Sequence, residues 1–133
     1  MNTEYNRLRS WTQQRYVTVP QLFFQLYKEL NVADDEAIII LHLLSYFEEG
    51  IEFPTPQDLA NRTSFMPNDI SMKMQRLMQK GLLEMTQGID ANGKISEKFS
   101  LFPLWERTMQ LLDQKAQIQT DTVTKNEEGE IFS

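Results

Sequence analysis

The fold is decided by the stretch Phe53-Pro-Thr-Pro-Gln-Asp-Leu-Ala-Asn61. Each residue that precedes a proline is pushed out of the helical region, so Phe53 and Thr55 are predicted to be extended. Thr55 is suited to cap a helix that has Pro56 at its first position and Asp58 three residues after the cap. The stretch therefore predicts an extended segment followed at once by a short helix, Pro56 to Asn61.

A second helix is predicted after a short turn. It begins at Pro67 and ends at Gly81, and its apolar residues repeat at helical spacing. Beyond Gly81 the spacing changes to that of two strands, predicted over residues 82–86 and 94–101. The segment Asp90-Ala-Asn-Gly93 joins them, and its Asn-Gly pair suits the positive φ angles of a tight hairpin turn. Two helices joined by a turn and followed by a hairpin are expected.

Further elements are predicted on both sides of this unit. A helix capped by Asp34 runs to about Phe47 and is apolar on nearly all sides, which places it at the centre of the domain. Before it, the spacing indicates a helix over Tyr5–Tyr16, a strand Arg15-Tyr-Val-Thr-Val19 and a helix from Pro20 to Leu30. After the hairpin, Pro103 opens a last helix that runs from Leu104 to about Ile118.

This order is that of a winged helix, in which the helix before the hairpin is the recognition helix. The expected fold class is mainly α with a small β-hairpin (α+β), a winged helix-turn-helix extended by an N-terminal helix-strand-helix and a C-terminal helix. Residues 1–33 are expected to form oligomerisation elements and residues 34–118 the winged-helix core with its C-terminal helix. Residues 119–133 have few apolar side chains and are expected to be a flexible linker toward a further domain.

Composition excludes several classes of function. The chain has 133 residues, no cysteine, one histidine and a net charge of −6. Thiol nucleophiles and zinc-thiolate sites are therefore excluded, and His42 is expected to be a structural, partly exposed residue. No apolar run approaches the roughly 18 residues of a spanning helix, and the N-terminus lacks the order of a secretory signal. We expect a cytoplasmic protein that has no membrane segment, no cofactor and no catalytic activity.

Several motifs in this order resemble those of one family. They are Phe53-Pro-Thr-Pro56, Gln79-Lys-Gly-Leu82, Asp90-Ala-Asn-Gly-Lys94 and Phe99-Ser-Leu-Phe-Pro-Leu-Trp105. Together they resemble the N-terminal domain of the DnaD family of bacterial replication-initiation (primosome) proteins, over roughly residues 16–115. The resemblance implies self-association and contact with the replication initiator and other primosome proteins. It also implies that DNA binding belongs mainly to a separate C-terminal domain.

Candidate self-association residues lie in the N-terminal elements. A lone strand must pair either with the chain's own sheet or with a second chain, and the resemblance favours pairing between chains in a dimer or higher homo-oligomer. Aromatic residues of the following helix would add apolar interface area, although at helical spacing they are also typical of a core. The candidates are Tyr16, Val17, Val19, Leu22, Phe23 and Phe24.

A second set of candidates lies on the recognition helix and the hairpin. Met72 is off the face of Met74 and Met78, which favours exposure, and three basic residues of the helix are placed to meet either solvent or phosphate. The candidates for partner or weak DNA contact are Met72, Lys73, Arg76, Lys80 and Lys94. The alternative hypothesis is a winged-helix transcription regulator that binds operator DNA through Lys73, Arg76 and the hairpin residue Lys94. The acidic net charge and the lack of a base-reading cluster favour the scaffold.

Overall fold

The computed structural model describes residues 3–12 and 15–132. Within them the chain forms, in order, α1 Thr3–Thr12, α2 Gln21–Leu26, α3 Asp34–Glu48, α4 Pro56–Arg62, α5 Pro67–Gln79, β1 Glu84–Ile89, β2 Ile95–Ser100 and α6 Phe102–Phe132. The mainly α architecture with one antiparallel hairpin confirms the predicted fold class.

The capped start of α4 has the geometry that its sequence predicts. The hydroxyl of Thr55 accepts a hydrogen bond from the backbone N–H of Asp58 at 3.1 Å, and the carboxylate of Asp58 accepts one from the N–H of Thr55 at 2.8 Å. These reciprocal bonds satisfy two amides that the helix itself leaves without partners. They fix the point at which the extended Phe53–Thr55 segment turns into α4.

Helix α3 forms the centre of the core. Ile39, Ile40 and Leu43 are fully buried, and they pack with buried residues of α2, α4, α5 and α6. The predicted cap was one residue off, because Ala33 holds the cap position and Asp34 is the first helical residue. The side chain of Glu36 instead accepts the hydrogen bond from the N–H of Ala33, at 2.9 Å.

The hairpin packs its base, rather than its tip, against this core. Its strands pair antiparallel from Glu84 with Ser100 to Ile89 with Ile95. The turn takes a positive φ at Gly93 alone among residues 90–94, and the carboxylate of Asp90 accepts hydrogen bonds from the N–H groups of Asn92 and Lys94. The Asx-type bonds thus shape a longer turn than a two-residue Asn-Gly hairpin has.

The predicted strand over Arg15–Val19 is wrong for the structure described. Residues 15–20 form neither helix nor strand, and the sheet found in the described residues consists of β1 and β2. A strand exists only where a neighbouring strand accepts its backbone hydrogen bonds, and neither β1 nor β2 pairs with this segment. The helix predicted over Tyr5–Tyr16 ends at Thr12, and residues 13 and 14 lie outside the described part of the chain.

Helix α6 is longer than its sequence predicts. It continues to Phe132, whereas the apolar pattern placed its end near Ile118. Its buried contacts come from the first turns, where Leu104 is fully buried and Thr108 is 5% exposed. Among the following residues most side chains up to residue 119 are exposed, with Lys115 paired to Glu29 at 2.8 Å. Residues 119–132 are helical, although they lack the apolar face from which a helix is recognised in sequence.

Candidate interaction surfaces

An apolar depression lies where the N-terminal segment meets α3. It has a volume of about 350 Å³ and is lined by Val17, Val19, Phe24, Leu41, His42 and Ser45. Val17 is 42% exposed, Phe24 52% and the neighbouring Ile38 42%. Arg15 anchors the segment to α3, because its guanidinium donates to the carbonyl of Glu48 at 2.9 Å. Side chains of residues 17–24 and one face of α3 therefore form a continuous apolar surface, which we call the N-terminal surface.

The structure divides the six self-association candidates between this surface and the core. Tyr16, Val17, Leu22 and Phe24 are exposed, and Val19 is half-buried against the core. Phe23 is an exception, since it is 1% exposed and its ring stacks on Tyr27 at a centroid distance of 5.4 Å. Residues on different faces of a helix cannot all contact the core. Because Phe23 and Leu26 of α2 are buried, Leu22 and Phe24 point outward. Phe23 is therefore a core residue and not a candidate for self-association.

His42 is part of the N-terminal surface. It is half-buried, and burial lowers the pKa of its imidazole below the ordinary value of 6.5, with the charge of Arg62 lowering it further. A neutral imidazole at neutral pH is compatible with an apolar neighbour. Sequence reasoning set His42 aside as structural and did not place it on this surface, because its partners come from other segments.

The basic residues of α5 are not a free cationic surface. Lys73 lies 3.0 Å from the carboxylate of Asp35 and Lys80 lies 2.6 Å from that of Glu36. Lys80 also donates to the carbonyl of Asn31 at 2.7 Å. Both lysines are therefore turned toward the first turn of α3, whereas Arg76 is exposed. Lys94 is exposed in the hairpin turn, on a different element from the other three.

A groove lies between α5 and the hairpin, on a different side of α5 from Lys73 and Lys80. Its volume is about 360 Å³, and its lining is Phe53, Pro54, Thr55, Pro56, Ser71, Met74, Gln75, Met78 and Phe99. The rings of Phe53 and Phe99 stack at 4.6 Å, and Phe53 is 40% exposed. On this side α5 presents Ser71 and Gln75, which carry no charge. Sequence analysis missed this groove, although Phe53 before Pro54 marked an aromatic residue held in an extended segment.

Met72 is exposed, as its spacing predicts. It is 54% exposed on the outer side of α5, whereas Met74 is 4% exposed. A flexible thioether at an exposed position adapts to a protein surface and offers nothing to a phosphate. Met72 lies outside the residues that line the groove. We call the exposed α5 residues Ser71, Met72 and Gln75, together with the adjoining groove, the winged-helix face.

Neither a metal centre nor a membrane-spanning helix is found among residues 3–12 and 15–132. No group of three or more His, Asp or Glu side chains is arranged to hold a metal ion there. In the same part of the chain, no helix combines the length and the apolar character required to cross a bilayer.

The helices and the hairpin together define a winged-helix domain with N-terminal and C-terminal extensions. The chain belongs to the family described as the DnaD N-terminal domain, whose model matches residues 19–120. It is 34% identical over 113 residues to the "Replicative helicase loading/DNA remodeling protein DnaD" of Bacillus subtilis (strain 168). That match covers 85% of this chain and 47% of the relative, so the chain spans about half of the relative's length.

A solved structure has the same fold. The crystal structure of the N-terminal domain of DnaD protein from Geobacillus kaustophilus HTA426 matches with a TM-score of 0.73 at 32% sequence identity. The match covers 91% of this chain and 99% of that one. The fold is therefore shared over most of this chain.

Proposed function

We propose that this chain is the oligomerisation and scaffolding domain of a DNA replication-initiation primosome protein. It associates with copies of itself through the N-terminal surface and contacts other replication-initiation proteins through the winged-helix face. It acts in the cytoplasm and has no catalytic activity of its own. Similarity to a protein named for replicative helicase loading supports a role in replication initiation. The N-terminal surface and the winged-helix face support self-association and contact with other proteins.

The observation that carries self-association is the state of residues 15–20. This segment lies in no sheet, yet its residues Tyr16 to Val19 are aromatic or β-branched, and it borders an apolar depression that it leaves open. A second copy can supply both a partner strand for this segment and a cover for the depression. Its own segment can pair as a strand, and its Phe24 can cover apolar area. A symmetric pair of chains uses the same patch twice, so one surface is sufficient for a dimer.

Contact with a different protein is assigned to the winged-helix face. Its α5 side carries Met72, Ser71 and Gln75, and the adjoining groove is lined mainly by apolar side chains. Affinity for nucleic acid needs clustered cations that meet phosphates, and this face has none among those side chains. The face suits a protein partner such as the replication initiator.

Single cysteines provide a direct test of self-association, since the chain has none of its own. Val17→Cys should form a disulfide-linked dimer under mild oxidation, because two copies of the segment lie side by side in the assembly. Met109→Cys is the matched control, as Met109 is 64% exposed on α6 and does not line the depression. Equal crosslinking of the two variants would count against the proposal.

The partner surface is tested by placing a charge on it. Met72→Glu should weaken binding of the purified replication initiator at least tenfold, while the melting temperature stays unchanged. Met66→Glu serves as the control, since Met66 is 67% exposed and precedes α5. Undiminished binding by Met72→Glu would move the partner contact away from α5.

A further inference from the structure

The first turn of α3 places two carboxylates against the basic row of α5. Asp35 and Glu36 are consecutive in sequence, and each is paired with a different lysine of that row, Lys73 and Lys80. Lys73, Arg76 and Lys80 follow one another at intervals of three and four residues, so they share one side of the helix. Three cations in such a row can contact successive phosphates of a nucleic-acid backbone.

Asp35 engages two members of this row. Its carboxylate is 3.0 Å from the ammonium of Lys73, and the charge of Arg76 also acts on it. The hydrogen bond from Lys73 is the main cause that lowers the pKa of Asp35 below its ordinary value. Asp35 therefore stays ionised at neutral pH and offsets the positive charge of the row.

The pairing also withdraws the lysine from solvent. The side chain of Lys73 is 16% exposed, and its ammonium lies 5.5 Å from the centre of the Phe65 ring. The ammonium group of Lys73 can bind a phosphate only if it is accessible and has left the carboxylate of Asp35. Lys73 is thus present in the recognition helix but unavailable to nucleic acid.

We infer that Asp35 is a specificity-determining residue that withholds a latent phosphate-binding row of α5 from nucleic acid. This extends the proposed function, which assigns protein contacts to the winged helix and does not say what the basic residues of α5 do. Asp35 is the more suitable of the two carboxylates for substitution, since its side chain is 40% exposed. Glu36 is 2% exposed and holds Lys80 and the N–H of Ala33, so it has a structural role in addition.

The test compares two substitutions that change the net charge equally. Asp35→Asn frees Lys73 and Arg76, and Asp113→Asn removes one negative charge from an exposed position on α6. Binding of the 133-residue chain to a labelled duplex of mixed sequence is followed by fluorescence anisotropy at low salt, about 50 mM. Asp35→Asn should bind about tenfold more tightly than Asp113→Asn, with a salt slope steeper by about one released counterion.

Two further variants keep the inference open to refutation. Adding Arg76→Glu to Asp35→Asn should abolish the gain, because it removes an accessible cation of the row. If Asp35→Asn fails to fold by circular dichroism, Asp35→Ser replaces it, since a serine hydroxyl can still accept the hydrogen bond that Asp35 receives from the N–H of Glu36. Equal affinities of the Asp35 and Asp113 variants, or wild-type binding as tight as that of Asp35→Asn, would overturn the inference.

Discussion

The ammonium group of Lys80 lies 2.6 Å from the carboxylate of Glu36, which is only 2% exposed. These residues are 44 positions apart, and their pair joins the C-terminal end of α5 to the first turn of α3. Lys80 also donates to the carbonyl of Asn31, a residue with a φ of 64° in the turn before α3. One side chain therefore fixes the recognition helix against the segment that follows the N-terminal surface.

Removal of Lys80 should destabilise the chain strongly. Lys80→Ala leaves the buried charge of Glu36 without its cation, which costs about 3 kcal/mol of unfolding free energy in comparable cases. Chemical denaturation measures the loss, and Lys94→Ala in the exposed hairpin turn is the control, expected within about 0.5 kcal/mol of wild type. The double variant Lys80→Ala/Glu36→Gln should recover part of the loss, because no uncompensated charge remains. Similar stability of both single variants would show that the buried pair contributes little.

The contribution of Asp35 to the free energy of unfolding should depend on pH. Its pKa is lowered from 3.8 in the folded chain, chiefly by the hydrogen bond from Lys73. A group with a depressed folded pKa stabilises above its unfolded pKa, and that contribution is lost as the pH falls through the folded value. Asp35→Asn should be less stable than wild type at pH 7 and should approach wild type at about pH 3. A difference in unfolding free energy that is the same at both pH values would contradict this assignment.

Val17 and Val19 should separate assembly from folding. Val17 is 42% exposed, so Val17→Lys should weaken self-association and leave the melting temperature nearly unchanged. Val19 is half-buried against the core, so Val19→Lys should in addition lower the unfolding free energy by about 1–3 kcal/mol. Light scattering and thermal unfolding of the two variants provide the comparison. Loss of stability in Val17→Lys equal to that in Val19→Lys would place the whole segment in the chain's own fold.

Deletion of Asp121 to Ser133 should change the melting temperature little. The buried contacts of α6 are made near Leu104 and Thr108, and apart from Lys115 the side chains of residues 113–119 are exposed. Residues 121–133 are poor in apolar side chains, so their removal should cost little free energy of apolar burial. Differential scanning calorimetry of the full and shortened chains tests this. A fall of many degrees would mean that the end of α6 packs against another surface, in this copy or a second one.

The winged-helix part of the fold could be predicted from sequence because its signals are local. Thr55, Pro56 and Asp58 define the start of α4 within four residues, and glycines mark the ends of α3 and α5. The strand at residues 15–19 was predicted from β-propensity, which carries no information on whether a partner strand exists. In the proposed assembly, this segment forms a strand by pairing with the same segment of a second copy.

Candidate surfaces were only partly predictable, for a related reason. Exposure of Met72 follows from its place on the helix, but the pairs formed by Lys73 and Lys80 depend on residues of a distant segment. The burial of Phe23 depends on Tyr27 and Trp105 together, and the second of these lies at the other end of the chain. Charge and aromatic patterns along one helix cannot reveal such partners.

Sedimentation equilibrium of the 133-residue chain tests the central claim most directly. The scaffold account predicts that the apparent mass rises with concentration and reaches that of a dimer or larger species at tens of micromolar chain. Val17→Lys, measured under the same conditions, should shift this rise to higher concentration. A wild-type chain that stays at its monomer mass of 15.7 kDa throughout that range would contradict the account.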